Sequence, residues 1–284
     1  MELTWEILPF IRLGGFELRY YSLLFIVVFL SGWGLYRWQV VRGGGTEADA
    51  NWMLGIGIVT TWFGGRLAHL VFYEPETFFE NPWVFLDVQR GGLASHGAWV
   101  AMALALAFYA KWRKQSFVEM CDRMAFTSAL GGGLIRIGNF FNSEIVGRAT
   151  DQTWGVRFPR YEQRMGVEVD PRHFEALLLR HPAQLYEAVW LFLVFGLLMV
   201  VDRRLGEKRS RGLLCGLFIV LYFGGRFFLE FFKEFEGIEV GTVLTMGQWL
   251  SIPSAMVGSV VLVWSFRRAP PANWITGKGA PGAS

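Results

Sequence analysis

Five stretches of this chain place side chains that are costly to bury inside or beside long apolar runs. "LIRIGNFFNSEIVG", residues 134 to 147, brings Arg136, Asn139, Asn142 and Glu144 together, with Arg148 directly after. "FGGRLAH" carries Arg66 and His69, and "GGLASHG" carries His96. "RHPAQLYE" supplies His181, Tyr186 and Glu187, and "YFGGRFFLEFF" supplies Arg226 and Glu230. An ionised group at the centre of a membrane helix costs about 2.5–3.5 kcal/mol, so such groups face a partner or a polar cavity. Singly, each has a plain alternative. Arg66 can cap backbone carbonyls, Arg226 and Glu230 can neutralise each other at i and i+4, and His69 can be a packing residue. Together they read as more arginine than acid at one depth. Paired guanidinium groups grip a phosphate through parallel hydrogen bonds, so the expected guest is a phospholipid headgroup, with a soluble anion as competitor. His96 is the side-chain type suited to proton transfer near neutral pH, since an unperturbed histidine titrates at about 6.5. No serine-centred nucleophile motif and no carboxylate or His/Cys metal set appears, so no cofactor is expected. Any nucleophile then arrives with a substrate.

The elements that must position these groups follow from composition. The chain has 284 residues, 53% hydrophobic and 17% aromatic. Its 18% charged content is below the roughly 25% of soluble domains, and long apolar runs recur, so the expected class is an all-α, polytopic membrane protein. Hydropathy predicts about seven transmembrane helices near residues 18–37, 50–73, 93–111, 121–141, 183–202, 212–232 and 247–266. Arginine and lysine gather after alternate helices: Arg37 and Arg42, Lys111 to Lys114, Arg203 to Arg211, and Arg267 with Arg268. The positive-inside rule therefore puts those ends in the cytoplasm, the N-terminus outside and the C-terminus inside. At 1.5 Å of rise per residue, the polar groups of five helices then fall in the outer half. The inner halves read as dry. The polar 142–182 segment is expected to form a small extracytoplasmic cap within one domain spanning 1–268, and the Pro/Gly/Ala-rich 269–284 a disordered cytoplasmic tail. "MELTWEILPF" lacks a basic n-region and cleavage site, so the first span is expected to be retained. Cys121 and Cys215 are both expected near cytoplasmic helix ends, away from the cluster. The formal charge of +3 gives no reason to expect nucleic acid as a partner.

Seven motifs in order, "RYYSLLF", "FGGRLAHLVFYEP", "GGLASHG", "RIGNFFNSEIVGR", "RHPAQLYE", "YFGGRFFLEFF" and "MGQWLSIP", resemble those of the bacterial phosphatidylglycerol–prolipoprotein diacylglyceryl transferases. The likeness covers nearly the whole chain. Ile135, Ser22 and the Ala94–Ser95 pair depart from the family pattern, at positions that touch packing more than chemistry. The resemblance implies transfer of diacylglyceryl from phosphatidylglycerol to the lipobox cysteine thiol of a preprolipoprotein signal peptide in the inner membrane. A thioether forms and glycerol phosphate leaves. It implies catalytic roles for Tyr21, His96, Arg136, Asn139, Glu144, Gly147 and Arg226. Arg66, Asn142, Glu187, Glu230, Tyr186 and His181 are expected to line the substrate site, with membrane lipids around it. The base stays open between His96, His181 and none. Two other classes stay open as well: an organic-anion transporter, and a lipid-binding protein without chemistry.

Overall fold

The structure, a computed structural model, describes residues 3–87, 91–234 and 244–268; the predicted tail at 269–284 lies outside them. Helices α1 (Tyr20–Arg42) and α2 (Glu47–Tyr73) are joined by a glycine turn. Thr46 opens α2 with a capping box, its hydroxyl and the Asp49 carboxylate satisfying each other's backbone amides. The short α3 (Pro75–Glu80) and a 3-10 turn at Pro82–Leu86 follow. Helix α4 (Ser95–Arg113) ends at Lys114, whose φ of 54° stops it, and α5 (Phe117–Phe141) starts from a Ser116 cap. Beyond the short α6 (Pro159–Arg164) come α7 (Ala183–Leu205), α8 (Leu213–Leu229) and α9 (Met246–Phe266).

Five of these helical stretches are long and apolar enough to cross a membrane: α1, α2, Ala183–Lys208, Leu213–Phe232 and α9. The seven long helices coincide with the seven expected segments. Helices α4 and α5 are not among the five, and α5 carries Glu119, Asp122, Arg123 and Arg136. It can afford them because it is the hub, packing on α1, α4, α7 and α8. Phe126, Ala125 and Ala129 of α5 meet Val194 and Leu198 of α7 and Leu214 and Phe218 of α8 in one core. Helix α2 packs closely on α4 at Gly64 and Gly97. A Cβ on Gly64 would sit 2.5 Å from the Gly97 carbonyl oxygen, so neither position tolerates a side chain without separating the helices.

The chain is mostly helical, as expected, and carries two small two-stranded sheets besides. β2 (Phe10–Leu13) and β3 (Phe16–Arg19) form an antiparallel hairpin across Gly14 and Gly15, while β1 (Leu3–Thr4) runs parallel to β4 (Val156–Arg157). The glycine pair lets the chain turn sharply, with Gly14 at φ 62°. The 142–182 segment has its own small core of Val146, Val156, Phe158 and Tyr161, joined by Phe140 and by Trp5 from the N-terminal segment.

The halves that the sequence reads as dry hold paired, buried charges. At the Arg42 end of the bundle, Arg123 is 1% exposed and pairs with Glu119 and Glu207; Arg209 holds Glu119 at 2.7 Å; Arg42 grips Asp202 through two bonds of 2.7 and 2.8 Å. Asp122, fully buried, accepts the Gly212 and Cys215 amides at 2.8 and 2.7 Å and so caps α8 from a neighbouring helix. Apart from Arg123 and Glu119, at i and i+4, these partners lie 84–160 residues apart in sequence, so no local pattern announced them. Cys121 and Cys215 are free thiols at this end.

Candidate active site

The centre is built on the last turns of α5. Arg136 and Asn139, at i and i+3, share a helix face, and an Arg136 Nη1–H donates to Asn139 Oδ1 at 3.4 Å. Past Phe141 the chain reverses through Ser143 and Ile145, at φ 55° and 53°. Positive φ is strained for a β-branched isoleucine, on the order of 1–3 kcal/mol. The strain turns Glu144 back over the helix end, where its amide bonds to the Asn139 carbonyl at 2.9 Å. Its carboxylate accepts Asn139 Nδ2 at 3.4 Å and Asn142 Nδ2 at 3.3 Å. Gln184 holds the Glu144 carbonyl at 2.6 Å, and Arg164 holds the Asn142 and Ser143 carbonyls. Gly147 then passes between two strands of main chain. Its amide donates to His181 O at 2.9 Å, and a Cβ there would lie 2.4 Å from that oxygen and 2.6 Å from Phe232 O. Only glycine fits.

Charges from α5, α7 and α8 meet at this turn. Glu187 on α7 is the node: one oxygen pairs with Arg136 Nε at 2.8 Å, the other with Lys233 Nζ at 2.7 Å. Lys233 continues to Glu230 at 3.3 Å, and Glu230 accepts the Thr245 hydroxyl at 3.2 Å. Arg226 lies in the same field, within electrostatic reach of Glu187. Among the described residues Arg226 makes no hydrogen bond or ion pair and is only half-buried. Tyr21 leans on Gly138 from the first turn of α1, within electrostatic reach of Glu144, Arg136 and Asn139. The expected guanidinium surplus is therefore replaced by balance. Arg136, Lys233 and Arg226 face Glu144, Glu187 and Glu230, with Arg226 left over from the ion pairs.

Two expected members stand apart. Arg66 is 2% exposed and donates to three main-chain carbonyls: Val84 at 2.8 Å, Asp87 at 3.0 Å, and Gly91. It caps the 3-10 turn, and among the described residues no contact joins it to Glu187 and its partners. His96 is exposed at the start of α4, its ring 5.4 Å from Phe72 and 6.2 Å from Tyr73. Among the described residues no contact joins His96 to Glu187 and its partners. His69 is satisfied by Glu74 at 3.1 Å, the packing role that the sequence allowed. His181 and Tyr186 border the network instead: the tyrosine hydroxyl lies 3.1 Å from His181 Nδ1 and accepts the Trp154 indole N–H at 2.9 Å. Sequence reasoning missed Lys233, Thr245 and Gln184. Lys233 stands three residues after Glu230, and Thr245 opens a capping box three residues before Gln248, so both left a local signal.

Fold and centre together define a multi-pass helical membrane protein with a charged site at one end of its bundle, one guanidinium of which is unclaimed among the described residues. Comparison with known proteins gives the family. Residues 9–264 match the family model described as prolipoprotein diacylglyceryl transferase. A phosphatidylglycerol–prolipoprotein diacylglyceryl transferase from Chloroherpeton thalassium is 37% identical over 93% of this chain and 95% of its own length. Similarly named proteins from Tolumonas auensis and Cupriavidus necator are 37% and 34% identical, each over 93% of this chain and 97% and 94% of theirs. The chain belongs to the prolipoprotein diacylglyceryl transferase family.

Proposed function

We propose that this protein transfers the diacylglyceryl group of phosphatidylglycerol to the cysteine thiol of a lipobox in a preprolipoprotein. One observation carries the site assignment: a half-buried Arg226 with no hydrogen-bond or ion-pair partner among the described residues, beside the Arg136–Glu187–Lys233 chain. A phosphate oxygen supplies what that guanidinium lacks. Arg226 binds the phosphate first, and Arg136, held by Glu187, reaches it as headgroup and peptide close in. Tyr21, Asn139, Asn142 and Glu144 orient the glycerol hydroxyls, and Gly147 keeps the main chain narrow beneath them. In the reaction the thiol loses its proton, sulfur bonds to the terminal glyceryl carbon, and that carbon's bond to phosphate oxygen breaks. The electron pair leaves on glycerol phosphate, where the arginines stabilise it. The proton passes to a base, for which His96 on the Phe72–Tyr73 face and His181 beside the network are the two candidates. A thiol of ordinary pKa, about 8.5, needs such help near neutrality.

In this reading the seven long helices span the bacterial inner membrane as one domain. The Tyr20 end faces outward under the 142–182 cap, and the Arg42 end faces the cytoplasm. The basic residues that follow alternate helices support that orientation. The test is direct. Purified protein, phosphatidylglycerol and a lipobox peptide should yield a peptide heavier by diacylglyceryl. Arg226→Ala and Arg136→Ala should each fall by about 100-fold or more in turnover, the scale of one lost transition-state donor, while remaining folded. Undiminished turnover in either variant would contradict the clamp.

A further inference from the structure

The 142–182 segment holds a cleft of about 820 Å³ that the charged centre does not use. One side is Ala149 to Gln152 with Trp154, the other is Leu178, Leu179 and His181, and Phe232 also lines it. The volume falls in the range that holds a drug-sized ligand, and so a few residues of peptide. The cleft shares a wall with the proposed reaction centre. Gly147 and Arg148 donate their amides to the His181 and Phe232 carbonyls, both at 2.9 Å, and Lys233 follows Phe232 directly. Its rim is apolar and open: Trp154 is 58% and Leu178 55% exposed. Trp154 is tied by its indole N–H to Tyr186, which also meets His181, so the tryptophan is held in place at the mouth.

Charge decides the occupant. Among the lining residues the only carboxylate is Asp151, and there is no lysine or arginine. Burial holds the His181 pKa below the ordinary histidine value, against a smaller opposing pull from Asp151, so the imidazole adds no cation at neutral pH. A lipid phosphate or released glycerol phosphate would meet the Asp151 carboxylate here, with no cation among the lining residues to offset it. A polypeptide that is neutral or basic would not.

We propose that this cleft docks the acceptor polypeptide just beyond its reactive cysteine, with Asp151 favouring neutral or basic residues there. The inference rests on the transferase reading, because that reaction places the secreted part of the acceptor beside the centre. The test uses full-length protein in nanodiscs and labelled lipobox peptides with serine in place of cysteine, which bind without reacting. The peptides differ only in carrying two lysines or two glutamates after that position. An anionic membrane favours the lysine peptide with any protein, so the readout is the change in affinity ratio between the native protein and Asp151→Lys. The ratio should fall by about five-fold or more in the variant, the scale of one or two screened charge contacts. With cysteine-containing peptides the same shift should appear in acceptor KM. Trp154→Ala should weaken a neutral peptide.

An affinity ratio unchanged by Asp151→Lys would overturn the inference, as would displacement of labelled peptide by glycerol phosphate. A shifted ratio in a protein that transfers no lipid would leave the docking site standing and remove the transferase reading. Transfer with an unchanged ratio would do the reverse.

Discussion

Replacing Glu187 by glutamine tests the centre most severely. The native carboxylate bridges Arg136 and Lys233 at 2.8 and 2.7 Å, and the three side chains are 6%, 16% and 9% exposed. Two unit charges about 4 Å apart attract by about 4 kcal/mol at an effective dielectric of 20. Two such contacts are set against several kcal/mol for desolvating the carboxylate. Removing one member of a buried pair costs about 3–5 kcal/mol because the partners stay buried and unmatched. Glu187→Gln should therefore lose about 3–5 kcal/mol of stability, read as denaturant-induced inactivation in detergent, and its turnover should fall as Arg136 loses its anchor. The double variant Glu187→Gln/Lys233→Met removes one charge of each sign and should be more stable than the sum of the two singles by about 1–3 kcal/mol. A single variant within about 0.5 kcal/mol of native, or strictly additive changes in the double, would refute the view that Glu187 organises the site.

Arg66→Ala should release the 3-10 turn at Pro82–Leu86, since hydrogen bonds to a charged donor contribute about 1.5–3 kcal/mol each. Faster proteolysis in the 75–87 segment with little change in lipid KM is the expected pattern, and a large KM rise would return Arg66 to the headgroup. Gly64→Ala would bring a methyl 2.4 Å from the Ala101 Cβ and 2.5 Å from the Gly97 carbonyl. Overpacking of this kind costs about 1–3 kcal/mol, measurable as a lower inactivation temperature. For His181 the folded pKa lies below the unfolded value because burial disfavours the cation. The unfolded chain thus binds the extra proton first as pH falls. The histidine's contribution is complete above about 6.5, declines as pH drops through that value, and levels off below the folded pKa. His181→Gln should flatten that part of the native protein's stability profile between pH 7.5 and 5.5.

The helices were legible because each long apolar run ends in a cap or a basic cluster, as Thr46 opens α2 and Arg42 closes α1. The candidate site was legible where its members are neighbours in sequence: Arg136, Asn139, Asn142 and Glu144 belong to one string. Partners that are not neighbours stayed hidden. Arg66 binds carbonyls, and any residue offers a carbonyl, so nothing in the sequence singled out Val84 or Asp87. Lys233 sat in a connection that reads as acidic, and its burial depends on Glu187, 46 residues earlier by the numbering of the pair. The hairpin at Phe10–Arg19 is too short to register beside seven long helices, although Gly14–Gly15 marks its turn.

The two ends of the bundle bear on what kind of protein uses such a site. Both are charged, but only one is available to a guest. At the Arg42 end the charges saturate one another: Arg123, Arg209 and Arg42 are matched by Glu119, Glu207 and Asp202. The cavity beside Arg123 and Glu119 is about 10 Å³, near the smallest volume that admits a water. At the Tyr20 end Arg226 has no hydrogen bond or ion pair among the described residues. Moving an organic anion through the bundle would require opening the saturated end, breaking several buried pairs at about 3–5 kcal/mol each when one partner is withdrawn. Nothing in a lipid-to-protein transfer requires that. Donor and acceptor can both meet the site from its own end, and product can leave the same way. The packed end then acts as a clamp on α1, α5 and α7, so the opposite ends of those same helices hold Tyr21, Arg136 and Glu187 in fixed register.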